Sequence, residues 1–469
     1  MSEAASYRPE PAILQLGDEY YDPVEAADFP QTILRFRNDR AAGEVGLAHL
    51  TDEEWIRHFG RFEPLPDNLT RPLALRYHGH QFRVYNPDLG DGRGFLFAQM
   101  RDSSGRLMDL GTKGSGQTPW SRFGDGRLTL KGGVREVLAT EMLEALGIET
   151  SRTFSLIETG EELHRGDEPS PTRSAVMVRL SHGHIRIGSF QRLAALGETD
   201  NLRKLTDYCL LHFYSEEGGE DGPVRLVGHV ARRTARLAAS YIAAGFVHGV
   251  LNSDNINITG ESFDYGPWRW TPFWDGSFTA AYFDQMGLYS FGRQPEAIHW
   301  DVVQLYRSLS LIAPPEEMAP AVEAFADHFQ AALRDLIFAR LGIVPRELER
   351  DLPVLVEIQT ALVKQSVEID RFFFDWRGGR ARGPSPADAP YQAEQFTGLA
   401  ASLAEYDAAP GALDHPYWSD PAPCSMHIDE VEAIWARIDQ DDDWTALEAK
   451  IAAVRRMAEA YRNAAGPAG

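Results

Sequence analysis

The apolar pattern changes character near residue 200, and that change limits the folds open to this chain more than any other feature. Residues 70–200 carry short strand-like runs broken by Gly-rich turns. Residues 95–100 and 106–110 predict the two strands of a hairpin, joined by Asp102-Ser103-Ser104-Gly105, and residues 174–180 predict a further strand. Between them, Val134, Val137, Leu138, Met142 and Leu146 share one face of a predicted helix over 133–146, which Gly147 stops. Beyond residue 200 the period is helical. Val227, Val230, Leu237 and Tyr241 mark a long helix ending at Gly245, and further helices are expected over 296–311, 319–341, 353–369 and 444–463. The last follows Asp441-Asp442-Asp443, whose carboxylates suit a helix N-terminus. Residues 1–68 read as an extended lead-in with one short helix over 52–59 capped by Thr51, and 378–390 as a linker rich in Gly, Arg and Pro. Strands first and helices second give an α+β, two-lobed outline. The expected division is an N-terminal extension (1–69), a strand-rich part (70–199), a first helical part (200–345) and a helical C-terminal region (346–469).

Composition narrows the function classes. The chain has 469 residues and a formal net charge of −23, which argues against a broad nucleic-acid surface and for a local basic pocket wherever anions bind. No apolar run approaches the ~20 residues of a membrane helix, and no basic-then-apolar leader is present. Cys209 and Cys424 are too few for a disulfide scaffold. The expected compartment is the cytoplasm.

Several segments carry chemistry. Leu89-Gly90-Asp91-Gly92-Arg93-Gly94 is a turn whose glycines would let backbone amides approach a phosphate, although Gly-rich turns also close ordinary hairpins. Lys113, at a strand end, can reach phosphates, and Glu136 on the following helix is a sensible partner; as sequence alone they could equally be two surface charges. Phe123-Gly124-Asp125-Gly126-Arg127 is a second turn that could face a nucleotide. Arg179 and Arg186, flanking Ser181-His182-Gly183-His184, could clamp phosphate through forked hydrogen bonds or lie at the surface. The strongest group is Asp254, Asn255 and Asp264. Asn255 and Asp264 offer hard oxygen ligands for Mg²⁺, with Mn²⁺ the alternative, and Asp254 could accept a hydroxyl proton; the plainer reading is an Asx-turn with capping carboxylates. The pairs His78/His80 and His182/His184 have no third ligand nearby and read as structural. No G-x-S-x-G elbow supports a serine hydrolase.

The stretch from His248 to Ile258 resembles the protein-kinase catalytic loop H-R-D-L-x-x-x-N. It keeps His248 and Asn255, replaces the Arg by Gly249 and the catalytic Asp by Val250, and is followed by Asp264-Tyr265-Gly266 in place of D-F-G. Together with Tyr77-His78-Gly79-His80-Gln81-Phe82, Leu89-Gly90-Asp91-Gly92-Arg93, Pro119-Trp120-Ser121-Arg122-Phe123-Gly124-Asp125-Gly126-Arg127 and Val134-Arg135-Glu136, it resembles the selenoprotein O (YdiU-like) family of pseudokinases over about residues 70–310. That resemblance implies a protein-kinase-like fold. It also implies ATP bound in a flipped orientation and transfer of AMP to Ser, Thr or Tyr hydroxyls of proteins, with release of pyrophosphate. It implies that Gly90, Gly92, Arg93, Lys113, Glu136, Asp125, Gly126, Arg179, Arg186 and Asp264 serve the nucleotide. Asn255 and Asp264 would hold Mg²⁺, and Asp254 would accept the proton. Many members of that family carry a redox-sensitive disulfide, which is not expected here, with Ala280 at the apparent Cys position and no Cys in the final residues Pro467-Ala468-Gly469. Two other readings are a conventional phosphotransferase and a non-catalytic ATP-binding scaffold.

Overall fold

The computed structural model describes residues 6–166 and 168–462. The sequence end Pro467-Ala468-Gly469, and Asn463 of the last predicted helix, lie outside the described residues. The fold is α+β. Strands β1 (Tyr21–Pro23), β2 (Ile33–Arg37) and β3 (Leu73–Leu75) precede a small ribbon of β4 (Gly79–Gln81) and β5 (Val84–Asn86). Then come β6 (Leu96–Arg101), β7 (Leu107–Lys113), β8 (Leu128–Thr129), β9 (Arg152–Leu163) and β10 (Thr172–Ser181). Strands β11 (Phe246–Val247) and β12 (Arg269–Trp270) form a second ribbon. The main sheet runs β1-β3-β6-β7-β10-β9-β2 with β8 paired to β10, and every pairing is antiparallel.

Local chemistry explains the elements the sequence foretold. In the β6–β7 turn, Asp102 Oδ1 accepts from the backbone N–H groups of Ser104 and Arg106, both at 2.9 Å, and Gly105 takes φ +87°. Helix Asp52–Phe59 begins with a capping box between Thr51 and Glu54. It lays Trp55 flat on Phe154, ring centroids 4.8 Å apart, and so covers one face of the sheet. The other face carries helix Leu130–Ala145. This helix starts three residues earlier than the periodicity predicts, because the Thr129 hydroxyl accepts from the Gly132 N–H at 3.1 Å. Helix Gly222–Ala244 ends where Gly245, at φ +73°, closes its C-terminus.

Other expectations need correction. The lead-in is not merely extended: β1 and β2 lie at opposite ends of the sheet, and a second helix spans Asp39–Glu44. The helix expected over 319–341 is two, Pro315–Glu323 and Phe325–Leu341, and the break at Ala324 lets both pieces pack against Gly222–Ala244. The helix expected to start at Pro353 spans Leu348–Gln365. Its first turns hold despite the interior proline because fully buried Asp351 accepts from Arg334, the Arg346 backbone N–H and the Tyr406 hydroxyl. Residues 369–375 form a separate helix, Ile369–Asp375. The stretch 378–390, largely exposed, is anchored by the Ser385 hydroxyl and Arg382, both bonded into the Ile369–Asp375 helix. The helix Thr445–Arg462 follows Asp443, whose carboxylate accepts from the Thr445 N–H at 3.0 Å. It lies against Leu130–Ala145, where Arg455 grips buried Glu141 at 2.6 and 2.8 Å.

Candidate active site

Strand β7 runs buried to its end and delivers Lys113 into the interior, where a lone ammonium would be costly. Glu136, nearly two turns into the helix packed on that face, answers it with Oε2 2.6 Å from Nζ. The helix can approach closely because residue 133 is glycine: a Cβ there would lie 2.4 Å from a Leu156 methyl. Nζ also donates to the Tyr265 carbonyl at 3.2 Å, which ties the sheet to the segment after the catalytic-type loop. Burial pulls the Lys113 ammonium below its ordinary range, with Glu136 opposing.

Asp264 is the electrostatic centre. It sits at φ +60°, a conformation that Asp tolerates better than most residues. Its Oδ1 accepts from Arg179 at 2.7 Å and its Oδ2 from Arg186 at 3.0 Å, and Lys113 Nζ stands 4.0 Å away. Burial alone would raise its carboxyl, but Arg179, Arg186 and Lys113 together hold it well below the usual carboxylate range. Arg186 also donates to the Asp254 carbonyl at 2.9 Å and reaches Asp91 at 3.4 Å. Its guanidinium lies between Tyr77 and Phe263, 4.2 and 4.8 Å from the ring centroids.

The loop from His248 is braced from within. His248 is fully buried, its ring Nε2 2.9 Å from the Phe263 carbonyl and its N–H on Gln294. Asn255 donates Nδ2 to the Val250 carbonyl at 3.1 Å, and no described hydrogen bond takes its Oδ1. Asp254 is buried, and its Oδ1 has no hydrogen-bond partner among the described residues. Burial pushes its carboxyl up to about 6, against the pull of Arg186. Gly79 makes room for it, since a Cβ there would come within 2.8 Å of Oδ1.

These groups surround one cavity of about 770 Å³. Gly90, Gly92, Arg93, Lys113, Asp125, Gly126, Arg179, Arg186, Asp254, Asn255 and Asp264 all line it, whereas Glu136 stands behind Lys113. Gly90 and Gly92 serve the packing of the next loop: a Cβ on Gly90 would lie 2.4 Å from the Trp120 ring, and one on Gly92 would lie 2.9 Å from the Trp120 carbonyl. Asp125 is paired with Arg165 at 2.8 Å. Tyr77, Asp91 and Arg122, which lie in the motifs but carry no role by sequence alone, also line the cavity, as does Arg165, which lies outside every motif. Asp91 was flagged only by its place between two glycines, and Arg165 by nothing local. Among the described residues no three His, Cys, Asp or Glu side chains gather as a metal cluster. Three of the four paired histidines bond within the fold, His78 to Tyr85, His80 to Gln191 and His184 to Asp109.

Known proteins share this arrangement of sequence. The family described as protein adenylyltransferase SelO matches residues 3–385. The protein nucleotidyltransferase YdiU of Synechococcus elongatus is 42% identical, covering 94% of this chain and 93% of its own length. That of Gloeobacter violaceus is 43% identical over 95% of each, and that of Synechocystis sp. 51% over 71% and 70%. A match across most of the chain, at this identity and including every loop around the cavity, means that the chain belongs to the SelO family of protein adenylyltransferases.

Proposed function

We propose that this chain transfers AMP from ATP to a hydroxyl side chain of a protein, releasing pyrophosphate. The observation that carries the reading is the pairing of two charge environments in one cavity. Asp264 is held ionised by Arg179 and Arg186, while Asp254 lines the same cavity with a carboxyl pushed up to about 6. A carboxylate that lines the cavity with its affinity for a proton raised can accept the acceptor's hydroxyl proton. Arg93, Lys113, Arg179 and Arg186 supply positive charge for a polyphosphate, and such transfers depend mainly on positioning and neutralisation. The oxygen donors Asn255 and Asp264 fit Mg²⁺ or Mn²⁺, which take one or two carboxylate-type ligands and complete their shell with phosphate and water. When bound, the ion would neutralise phosphate charge. The same reading makes the fold protein-kinase-like and two-lobed, with the Lys113–Glu136 pair on the sheet side and Asp254 on the helical side. It keeps the sequence-based division at residues 69, 199 and 345. No described helix is long and apolar enough to cross a membrane. A cytoplasmic compartment is supported by Cys209 and Cys424, both free thiols, and the acidic balance speaks against nucleic acid as a partner.

ATP labelled at the α- or the γ-phosphate separates this from a phosphotransferase and a scaffold. Label should enter protein from the α-position only, and Asp264→Ala should lose it while remaining folded by circular dichroism. Label from the γ-position alone would make the chain a kinase.

A further inference from the structure

A second polar cavity, of about 500 Å³, lies away from the Asp264 site and shares no lining residue with it. One wall is the β6–β7 turn with Arg101 and Arg106. The other is formed by the end of helix Thr199–Tyr214 and the middle of Gly222–Ala244, with Arg232 and Arg233. Four guanidinium groups converge on a hollow in a chain whose net charge is −23. The nearby carboxylates do not use them up. Glu10 takes the Nε and one terminal nitrogen of Arg101, at 2.7 and 2.6 Å. Asp102 takes only the Nε of Arg106, at 2.8 Å. Glu149 comes no closer than 3.8 Å to Arg233, and Glu216 is held by Arg225 and His229. Among the described residues Arg232 bonds His229 alone. The terminal nitrogens of Arg106, Arg232 and Arg233 therefore make no hydrogen bond to a carboxylate among the described residues.

His182 points to a ligand independently. It lines this cavity, is 6% exposed, and its ring makes no hydrogen bond among the described residues, lying edge-on to Phe213 at 5.4 Å. Its ring nitrogens are not sealed from the cavity, so a polar guest could replace water there. We infer that this cavity is a second anion site, suited to a multiply charged phosphate group. Arg106, Arg232 and Arg233 would supply forked donors and His182 a further contact. A free oxyanion and the phosphate tail of a nucleotide share that chemistry. Because the cavity is walled by the sheet's turn on one side and by helices on the other, its guest would bridge the two.

The test is calorimetric titration of the full chain with inorganic pyrophosphate, without divalent cation. The wild type, the Arg232→Gln/Arg233→Gln double variant and Arg106→Gln are compared. The expected result is that the double variant loses one class of binding seen in the wild type, and that Arg106→Gln weakens the same class about tenfold. Arg106 is half-exposed on a turn, so its variant carries the test if the double variant does not fold. Wild-type pyrophosphate binding that both folded variants reproduce, or no binding at all, would overturn the site. Competition by ATP for the class lost in the variants would identify a nucleotide tail, and competition confined to the other class would identify a free oxyanion. Because the readout is binding, failure of AMP transfer would leave this result standing.

Discussion

Asp254 and Glu261 show how burial gives two carboxyl groups different work. Asp254 lines the cavity with one oxygen uncommitted. Asp254→Asn keeps the shape and removes the base, so transfer of α-label should fall by about 10² or more while ATP affinity stays within a few-fold. Unchanged transfer would remove Asp254 from the chemistry. Glu261 is buried outside the cavity and accepts the His182 N–H at 2.9 Å, and burial pushes its carboxyl up to about 7. A raised carboxyl keeps its proton longer in the folded state than in the unfolded chain. Its contribution to stability is therefore full below about 4.5 and lost as pH rises to about 7. Glu261→Gln mimics the protonated form. Urea unfolding should show it equal to wild type at acid pH and more stable at pH 8, by up to about 3 kcal/mol. A difference that does not change with pH would show that Glu261 ionises normally.

At the scale of elements, glycines decide how closely neighbours meet. Gly94 closes the loop that begins at Leu89, and a Cβ there would stand 2.1 Å from the Thr112 carbonyl of β7. A backbone oxygen cannot turn aside as a side chain can. Gly94→Ala should therefore cost about 1–3 kcal/mol in chemical denaturation, and it should weaken ATP binding by moving the loop off the Lys113 strand. Elements with chemical ends were legible: the Thr51–Glu54 capping box and the glycine after Ala244 place helix ends that the structure keeps. Elements bounded by tertiary contacts were not. The start at Leu348 depends on Asp351 meeting Arg334 and Tyr406, and the break at Ala324 depends on the helix both pieces rest upon. No local propensity records either.

Across the whole molecule, the lead-in is part of the sheet. It supplies β1 beside β3 and β2 beside β9. Helix Asp52–Phe59 then depends on β9 for the ring that Trp55 covers. Removing the residues up to Arg37 should abolish cooperative unfolding and expose apolar surface to a hydrophobic dye. A truncated chain that melts cooperatively would show the lead-in to be dispensable. The sequence by itself determined the α+β class, the order of the motifs and the residue types around the cavity, because periodicity, caps and glycine-rich turns are local. It also carried Lys113, Glu136, Asn255 and Asp264, whose chemistry is intrinsic to their side chains. Only the tertiary structure decided what those groups experience. It wrapped Asp264 in two guanidinium groups, left an oxygen of Asp254 without a partner, brought Asp91 to Arg186 from 95 residues away, and gathered four arginines into a second hollow. Burial and long-range charge arise only when distant segments meet, so no spacing along the chain encodes them.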